Sequence, residues 1–294
     1  SRFYEKARKF IRQGLVLLVD QYADQGGVLP VLYSYSDYTS LDLGNITNPK
    51  TLLQVGEAYQ AIRMYPQALR FYERVKRQDP SKVYRDRVFL NLGRIHLAQK
   101  NFQEAELVAR SFLKHYPRSD RLPEAMKLMA QSYAGRNQHP KALKVYRDLL
   151  RKKQGAASET YFLMGETYAG LDNLKQASRA YQKAIARFDR RSKIVPDYIR
   201  KAHYRLGFSF YKTGQYPKAI QALESARSLF PEQPQKSWAD FLLMESYEKV
   251  KDETRLASQL QDLVQSENSD PLLKQAAQSK LKILDWEKEF KENL

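Results

Sequence analysis

Side chains that could carry out acid–base or metal chemistry are scarce in this 294-residue chain. Because it has no cysteine, disulfides, thiolate metal ligands and cysteine nucleophiles are excluded. Its four histidines have no second histidine or carboxylate at a metal-binding spacing, and no glycine-rich phosphate loop or nucleophile elbow is present. We therefore expect no catalytic residue, no metal site, no cofactor and no enzymatic activity. The histidines are His96, His115, His139 and His203.

The sequence carries a large excess of positive charge, and this excess lies in the middle of the chain. The net charge is +17, and the stretch from Arg63 to Arg205 holds 32 basic against 13 acidic residues. Several of these cations recur every three or four residues, so that on a helix they form a stripe. Such a face could bind an acidic protein, anionic lipid headgroups or nucleic acid, or could be merely solvated. The predicted basic face consists of Lys141, Lys144, Arg147, Lys175, Arg179, Lys183 and Arg187.

A recurring pattern of small and aromatic residues indicates the elements that position these side chains. From Thr51 to Pro80 the pattern predicts two amphipathic helices joined by a short turn. Small residues would lie where the helices cross closely, and aromatic residues would fill the gap between them. The same spacing recurs five more times, the last time in degenerate form. The small-residue positions, called anchors below, are Gly56, Gly93, Ala130, Gly165, Gly207 and Met244.

This pattern resembles the tetratricopeptide repeat (TPR) family over residues 50–268. The resemblance implies an all-α fold, a right-handed superhelical solenoid of about six helix-turn-helix repeats. The anchors are 37, 37, 35, 42 and 37 residues apart, whereas the usual period is about 34. The extra residues precede each new repeat, a spacing that is similar to that of bacterial envelope TPR proteins. We therefore expect the cell envelope or periplasm rather than the cytoplasm.

The two ends of the chain fall outside this pattern. We expect residues 1–49 to form a helix followed by an irregular, tyrosine-rich cap over residues 28–48, which could instead be a degenerate repeat or a partner-binding segment. Residues 269–294 are predicted to form a C-terminal capping helix. No apolar run approaches the ~18 residues of a membrane span. The start at Ser1 rather than Met indicates a processed or excised form, so the absence of a leader decides nothing.

The resemblance also implies which residues contact a partner. In TPR arrays the first helix of each repeat lines the concave surface, with partner contacts at fixed distances from the anchor. In repeats four to six these positions hold aromatic residues, which suit an extended peptide or a docked helix, although they could instead pack together. Three cations could hold an acidic side chain. The predicted groove consists of Phe162, Tyr204, Phe208, Tyr211, Trp238, Phe241, Lys127, Lys201 and Arg205.

These observations predict a non-catalytic protein-interaction scaffold in a bacterial envelope assembly. A polypeptide partner would occupy the aromatic groove, and the basic face would meet an acidic protein or an anionic membrane surface. The alternative is a protein that binds nucleic acid or another anionic surface through its basic middle. Nucleic acid is the less favoured partner because the basic stripe lacks interleaved aromatic residues on which bases could stack.

Overall fold

The computed structural model describes residues 2–40, 46–79, 81–189, 191–192, 194–232, 236–266 and 270–292. These residues form fifteen α-helices and no strand, so the predicted all-α fold is confirmed. The helices are α1 (Arg2–Asp24), α2 (Val28–Ser40), α3 (Pro49–Ala61), α4 (Tyr65–Gln78), α5 (Arg85–Ala98), α6 (Phe102–His115), α7 (Leu122–Gly135), α8 (His139–Arg151), α9 (Ala157–Gly170), α10 (Leu174–Ala186), α11 (Asp197–Lys212), α12 (Tyr216–Leu229), α13 (Lys236–Lys249), α14 (Glu253–Gln265) and α15 (Pro271–Glu292).

The helices belong to two compact units, Ser1–Val145 and Tyr146–Leu294, and the boundary falls inside α8. In the first unit α1 packs on α2, α3 on α4 and α5 on α6. In the second unit α9 packs on α10, α11 on α12 and α13 on α14, and α15 packs against α14. Each unit therefore consists of successive helical hairpins, and clusters of buried apolar side chains lie between the packed helices.

Close approach of the two helices in a hairpin explains the small residue at the anchor. A Cβ atom added to Gly56 would lie 2.8 Å from the Tyr72 ring, and one added to Gly207 would lie 2.5 Å from the Leu223 side chain. The anchor and the large residue of the second helix therefore fit together as a pair. Tyr72 is fully buried, and its hydroxyl donates a 2.5 Å hydrogen bond to Gln60 Oε1. Burial raises the pKa of Tyr72 far above the ordinary tyrosine value.

The turn that closes each hairpin also has a fixed position relative to the anchor. Seven residues after each anchor the backbone adopts a left-handed conformation, with φ between 55° and 71°. Only one of these residues is a glycine, so the turn recurs even where its residue type is unfavourable. The residues are Arg63, Lys100, Asn137, Asp172, Gly214 and Lys251.

The predicted irregular cap is wrong for residues 28–40, because they form α2, which packs on α1 and α3. Val19 lies 37 residues before Gly56, and Gly26, at φ 75°, lies seven residues after Val19. The α1–α2 hairpin therefore has the same register as the later repeats. Its anchor is a valine, whereas most of the other anchors are glycine or alanine, so residue type does not reveal it. Residues 41–45 of the predicted cap lie outside the described residues.

Burial explains why α2 is helical despite its Pro30 and its many serine and tyrosine residues, which are weak helix formers. Tyr38 is buried in the core of the first unit. The Tyr35 ring packs edge-on against Phe71, with 5.1 Å between the ring centroids. Tertiary packing has thus overridden a weak local preference, which the sequence alone does not reveal.

Filling the space at one anchor tests the hairpin contact. A Cβ at Gly165 would overlap the Tyr181 ring, so we expect Gly165→Ala to lower the free energy of unfolding by about 1–3 kcal/mol. Gln182→Ala, at an exposed position of α10, should change it by less than about 0.5 kcal/mol. Urea denaturation followed by circular dichroism measures both, and equal stability of the two variants would contradict the contact.

Candidate functional site

The predicted aromatic groove lies on the first helices of the hairpins in the second unit, and two of its residues must be removed from it. Phe162 is only 9% exposed and packs against Tyr181 and Tyr198. Tyr204 is 1% exposed, and its hydroxyl donates a 2.8 Å hydrogen bond to the carbonyl oxygen of Phe230. The inference that these side chains are available to a partner is therefore wrong, because the neighbouring helices of the core cover them.

The other four aromatic residues of the predicted groove are half-buried or exposed. The Phe208 and Trp238 rings are in contact, with 4.9 Å between their centroids. Trp238 and Phe241 are 38% and 40% exposed. Tyr211 packs edge-on against Tyr216, and burial, followed by the nearby Glu245 carboxylate, raises its pKa. Phe208, Trp238 and Phe241 therefore provide apolar surface that solvent can reach.

The cations of the predicted groove differ in their surroundings. Arg205 Nε lies 3.3 Å from Glu166 Oε1, which also accepts a 2.5 Å hydrogen bond from the Tyr181 hydroxyl. Lys201 pairs with Asp197, one turn before it on α11. Lys127 is half-buried on α7 in the first unit, and it is described with that unit. All the predicted groove residues except Lys127 therefore lie in the second unit.

A cleft of about 890 Å³ lies where the α9–α10 turn faces α11. It contains Arg205 and Phe208 of the predicted groove and Lys175 of the predicted basic face. Lys212, which belongs to neither predicted set, also lines the cleft, and its Nζ lies 5.8 Å from the Phe208 ring centroid. The lining of the cleft therefore includes three cations and one aromatic ring, and Asp172 is its one acidic lining residue.

The predicted basic face is divided between the two units. Lys141 and Lys144 lie in the first unit, and the other five residues lie in the second. All seven are exposed. Among the described residues, no ion pair with a carboxylate is found for the four cations of α10 and its C-cap. They are Lys175, Arg179, Lys183 and Arg187.

Two of the four histidines, His203 and His115, lie in ordinary packing environments. The His203 ring packs edge-on against Phe230, and His115 Nδ1 hydrogen-bonds to the carbonyl of Ser111. Within the described ranges, no group of three or more histidine, aspartate or glutamate side chains could hold a metal ion. None of the helices in those ranges combines the length and the apolar character that crossing a bilayer requires.

Four segments of the chain match family models described as tetratricopeptide repeat: residues 51–84, 87–119, 158–187 and 200–233. Protein bimA of Emericella nidulans is 30% identical over 196 residues, which are 66% of this chain and 22% of that protein. The chain spans less than half of the length of the curated relatives it matches.

Solved structures of similar fold include a Rap protein complexed with competence and sporulation factor. Its TM-score is 0.60 at 13% identity, and the match covers 93% of this chain and 85% of that one. PilW, a widely conserved type IV pilus biogenesis factor, has a TM-score of 0.59 at 14% identity, with 77% of this chain and 96% of that one covered. The hairpins and the matched repeats together define an all-α repeat protein. The chain belongs to the tetratricopeptide repeat family.

Removing one hydroxyl tests the reassignment of Tyr204 to the core. Tyr204→Phe leaves the carbonyl of Phe230 without this donor, so we expect a loss of about 1 kcal/mol in the free energy of unfolding at pH 7. Burial raises the pKa of Tyr204 to about 12, whereas an unfolded tyrosine titrates near pH 10. The unfolded state therefore loses this proton first, and the contribution of Tyr204 to stability falls as the pH rises from 10 toward 12.

Urea unfolding at pH 7 and at pH 11 measures both effects. The difference between wild type and Tyr204→Phe should shrink at the higher pH. Tyr33→Phe, at an exposed position of α2, is the matched control and should behave as wild type at both pH values. Wild-type stability of Tyr204→Phe at pH 7 would contradict the buried hydrogen bond.

Proposed function

We propose that this protein is a non-catalytic interaction scaffold whose second unit binds a polypeptide in the cleft between the α9–α10 turn and α11. The observation that carries the proposal is that Lys175, Arg205 and Lys212 line one cleft together with the Phe208 ring. The similar Rap structure, which is complexed with competence and sporulation factor, supports a binding role.

The chemistry of the cleft selects the kind of polypeptide. Phe208, which packs against Trp238, offers a rigid apolar surface that loses little conformational entropy when a partner covers it. The three cations favour carboxylates and disfavour a basic segment. The partner segment therefore carries acidic residues next to an apolar side chain.

We further propose that the assembly belongs to a bacterial cell envelope. The long steps between anchors and the short Tyr/Phe-Pro segments before new repeats support this assignment. The fold is also shared with PilW, which is described as a pilus biogenesis factor. The partner would then be another envelope protein.

Peptide selection tests the cleft and identifies the sequences that it prefers. A random peptide library displayed on phage is selected against the immobilised 294-residue chain, and the affinity of the enriched peptides is measured by fluorescence anisotropy. We expect enrichment of acidic peptides with an aromatic or aliphatic residue. Arg205→Glu and Phe208→Ala should each weaken their binding at least tenfold, because each removes one of the two types of contact.

Two matched controls accompany these variants. Lys282→Glu reverses an exposed charge on α15, and Leu229→Ala removes an exposed apolar side chain at the end of α12. Both should bind the peptides as the wild type does. Enriched peptides that bind Arg205→Glu and Phe208→Ala with unchanged affinity would exclude this cleft as the binding site.

A second candidate function is nucleic-acid binding through α10. The observation that favours it is the stripe of exposed cations on α10 without carboxylate partners among the described residues. Like charges at this spacing destabilise a helix by a few tenths of a kcal/mol per pair. A bound anion such as phosphate would relieve this repulsion. Phosphate contacts of this kind lose affinity steeply as salt rises.

Charge reversal on α10 separates the two functions. The triple variant Arg179→Glu, Lys183→Glu and Arg187→Glu should leave the binding of the selected peptides within about twofold of wild type, because these residues lie outside the cleft. Fluorescent single-stranded and duplex DNA are titrated in parallel at low and high salt. Two results together would favour the second function. DNA binding would be salt-sensitive and lost in the triple variant, and the library selection would enrich no peptide.

A further inference from the structure

Helix α1 is apolar on two opposite faces, and the described protein covers only one of them. Leu15, Val19 and Tyr22 belong to the core of the first unit or pack against it. On the other side of the helix, Phe3, Phe10 and Leu17 are 83%, 72% and 67% exposed. Tyr4, Ile11 and Leu18 lie beside them and are also exposed. A helix with two apolar faces is normally buried on both.

The exposed face of α1 is the face that later repeats cover with the preceding hairpin. In α3 the residue five positions before the anchor is Thr51, which is fully buried and donates a hydrogen bond to Asp20 of α1. The equivalent residues of other first helices are also fully buried. They are Val88, Ala125, Ala202 and Ala239. In α1 the equivalent residue is Gly14, which is exposed.

Gly14 has no structural explanation within the described protein. A Cβ added to it would meet no atom within 4 Å, whereas Gly56 and Gly207 lie against the large side chain of a packed helix. A glycine inside a helix costs about 1 kcal/mol relative to alanine. The exposed apolar face and its central glycine therefore have the form of a helix-packing surface.

We propose that this face binds a second copy of the chain, and that the two α1 helices cross antiparallel at Gly14. The glycine lies close to the middle of α1 (Arg2–Asp24), so a two-fold axis at this point aligns nearly the whole of one helix with the other. Phe10 then lies opposite Leu17 of the second copy on one flank of the interface, and Ile11 lies opposite its Leu18 on the other flank. Close approach of the backbones at the glycine allows these side chains to interdigitate.

The charges of α1 favour this antiparallel orientation. Between residues 3 and 12 the sequence has four basic residues and one acidic residue, whereas between residues 13 and 24 it has two acidic residues and none that is basic. Crossing at Gly14 places Lys6 beside Asp24 of the second copy, and Lys9 beside its Asp20, on the same flank of the interface. A parallel pair would instead bring the cations together.

The carboxylate of Asp24 is exposed, and it forms an ion pair with Lys50 of its own chain. Its side chain is 68% exposed, and the nearest cation in its own chain, Lys50 Nζ, lies 3.7 Å away. Asp20 is more enclosed, since it lies 3.4 Å from the same Lys50 Nζ and accepts the Thr51 hydrogen bond. The Lys6–Asp24 pair is therefore the one on which to test the register.

A disulfide tests the crossing point directly, because the chain has no cysteine of its own. Gly14→Cys should form a disulfide-linked dimer under mild oxidation at micromolar concentration, since a disulfide requires Cα atoms about 4.4–6.8 Å apart. Leu107→Cys, at an exposed position of α6, is the control and should form no disulfide-linked dimer. Cross-linking of Gly14→Cys that does not exceed the control would overturn the proposal.

Analytical ultracentrifugation of the unmodified 294-residue chain tests the dimer and its register. The mass should rise from 34.3 kDa to twice that value with increasing concentration. Lys6→Glu and Asp24→Lys should each weaken the dimer at least tenfold, and the two together should restore it. Lys114→Glu, on the exposed side of α6, should have no effect.

Three results would overturn the proposal. The first is a monomer at all concentrations, and the second is a dimer that neither charge reversal weakens. The third is a monomeric chain that binds vesicles of phosphatidylcholine and phosphatidylserine and loses that binding in Phe10→Ser with Leu17→Ser. In that case the face would contact a membrane rather than a second copy.

Discussion

The contact between a glycine anchor and a large side chain of a facing helix is the constraint that sets the helix packing at Gly56, Gly165 and Gly207. At Gly56 and Gly207 even a methyl group would overlap the opposite side chain. This contact fixes the distance between the two helices, and the left-handed residue seven positions later fixes the turn. The left-handed turn recurs after every anchor, so the hairpins share one register, and function depends on the side chains that each hairpin presents.

The sequence predicted the fold well because the anchors combine residue type with period. Five matches in register are hard to obtain by chance, and they predict helices rather than strands. The α1–α2 hairpin was not predicted as a repeat because its anchor is a valine, Val19. The step from Val19 to Gly56 is nevertheless 37 residues, the same as between most other anchors. A search by residue type therefore misses this hairpin, whereas a search by spacing alone finds it.

The candidate site was predicted less completely, for a physical reason. Fixed offsets from the anchor cannot tell whether the next hairpin covers a side chain. Phe162 and Tyr204 share their offset with Phe241, yet the first two are buried and Phe241 is exposed. The cleft itself joins α11 to the turn before α10, so Lys175 and Arg205 meet only in three dimensions. Sequence reasoning had assigned them to two different surfaces.

We propose above all that the second unit binds an acidic polypeptide at the cleft that contains Phe208. The most direct measurement is photo-cross-linking of a selected peptide that carries a benzophenone, followed by mass spectrometry of the cross-linked chain. We expect cross-links within residues 169–175 and 205–213, the two segments that contribute the lining of the cleft. Cross-links confined to residues 179–187, on the basic stripe of α10, would contradict this proposal.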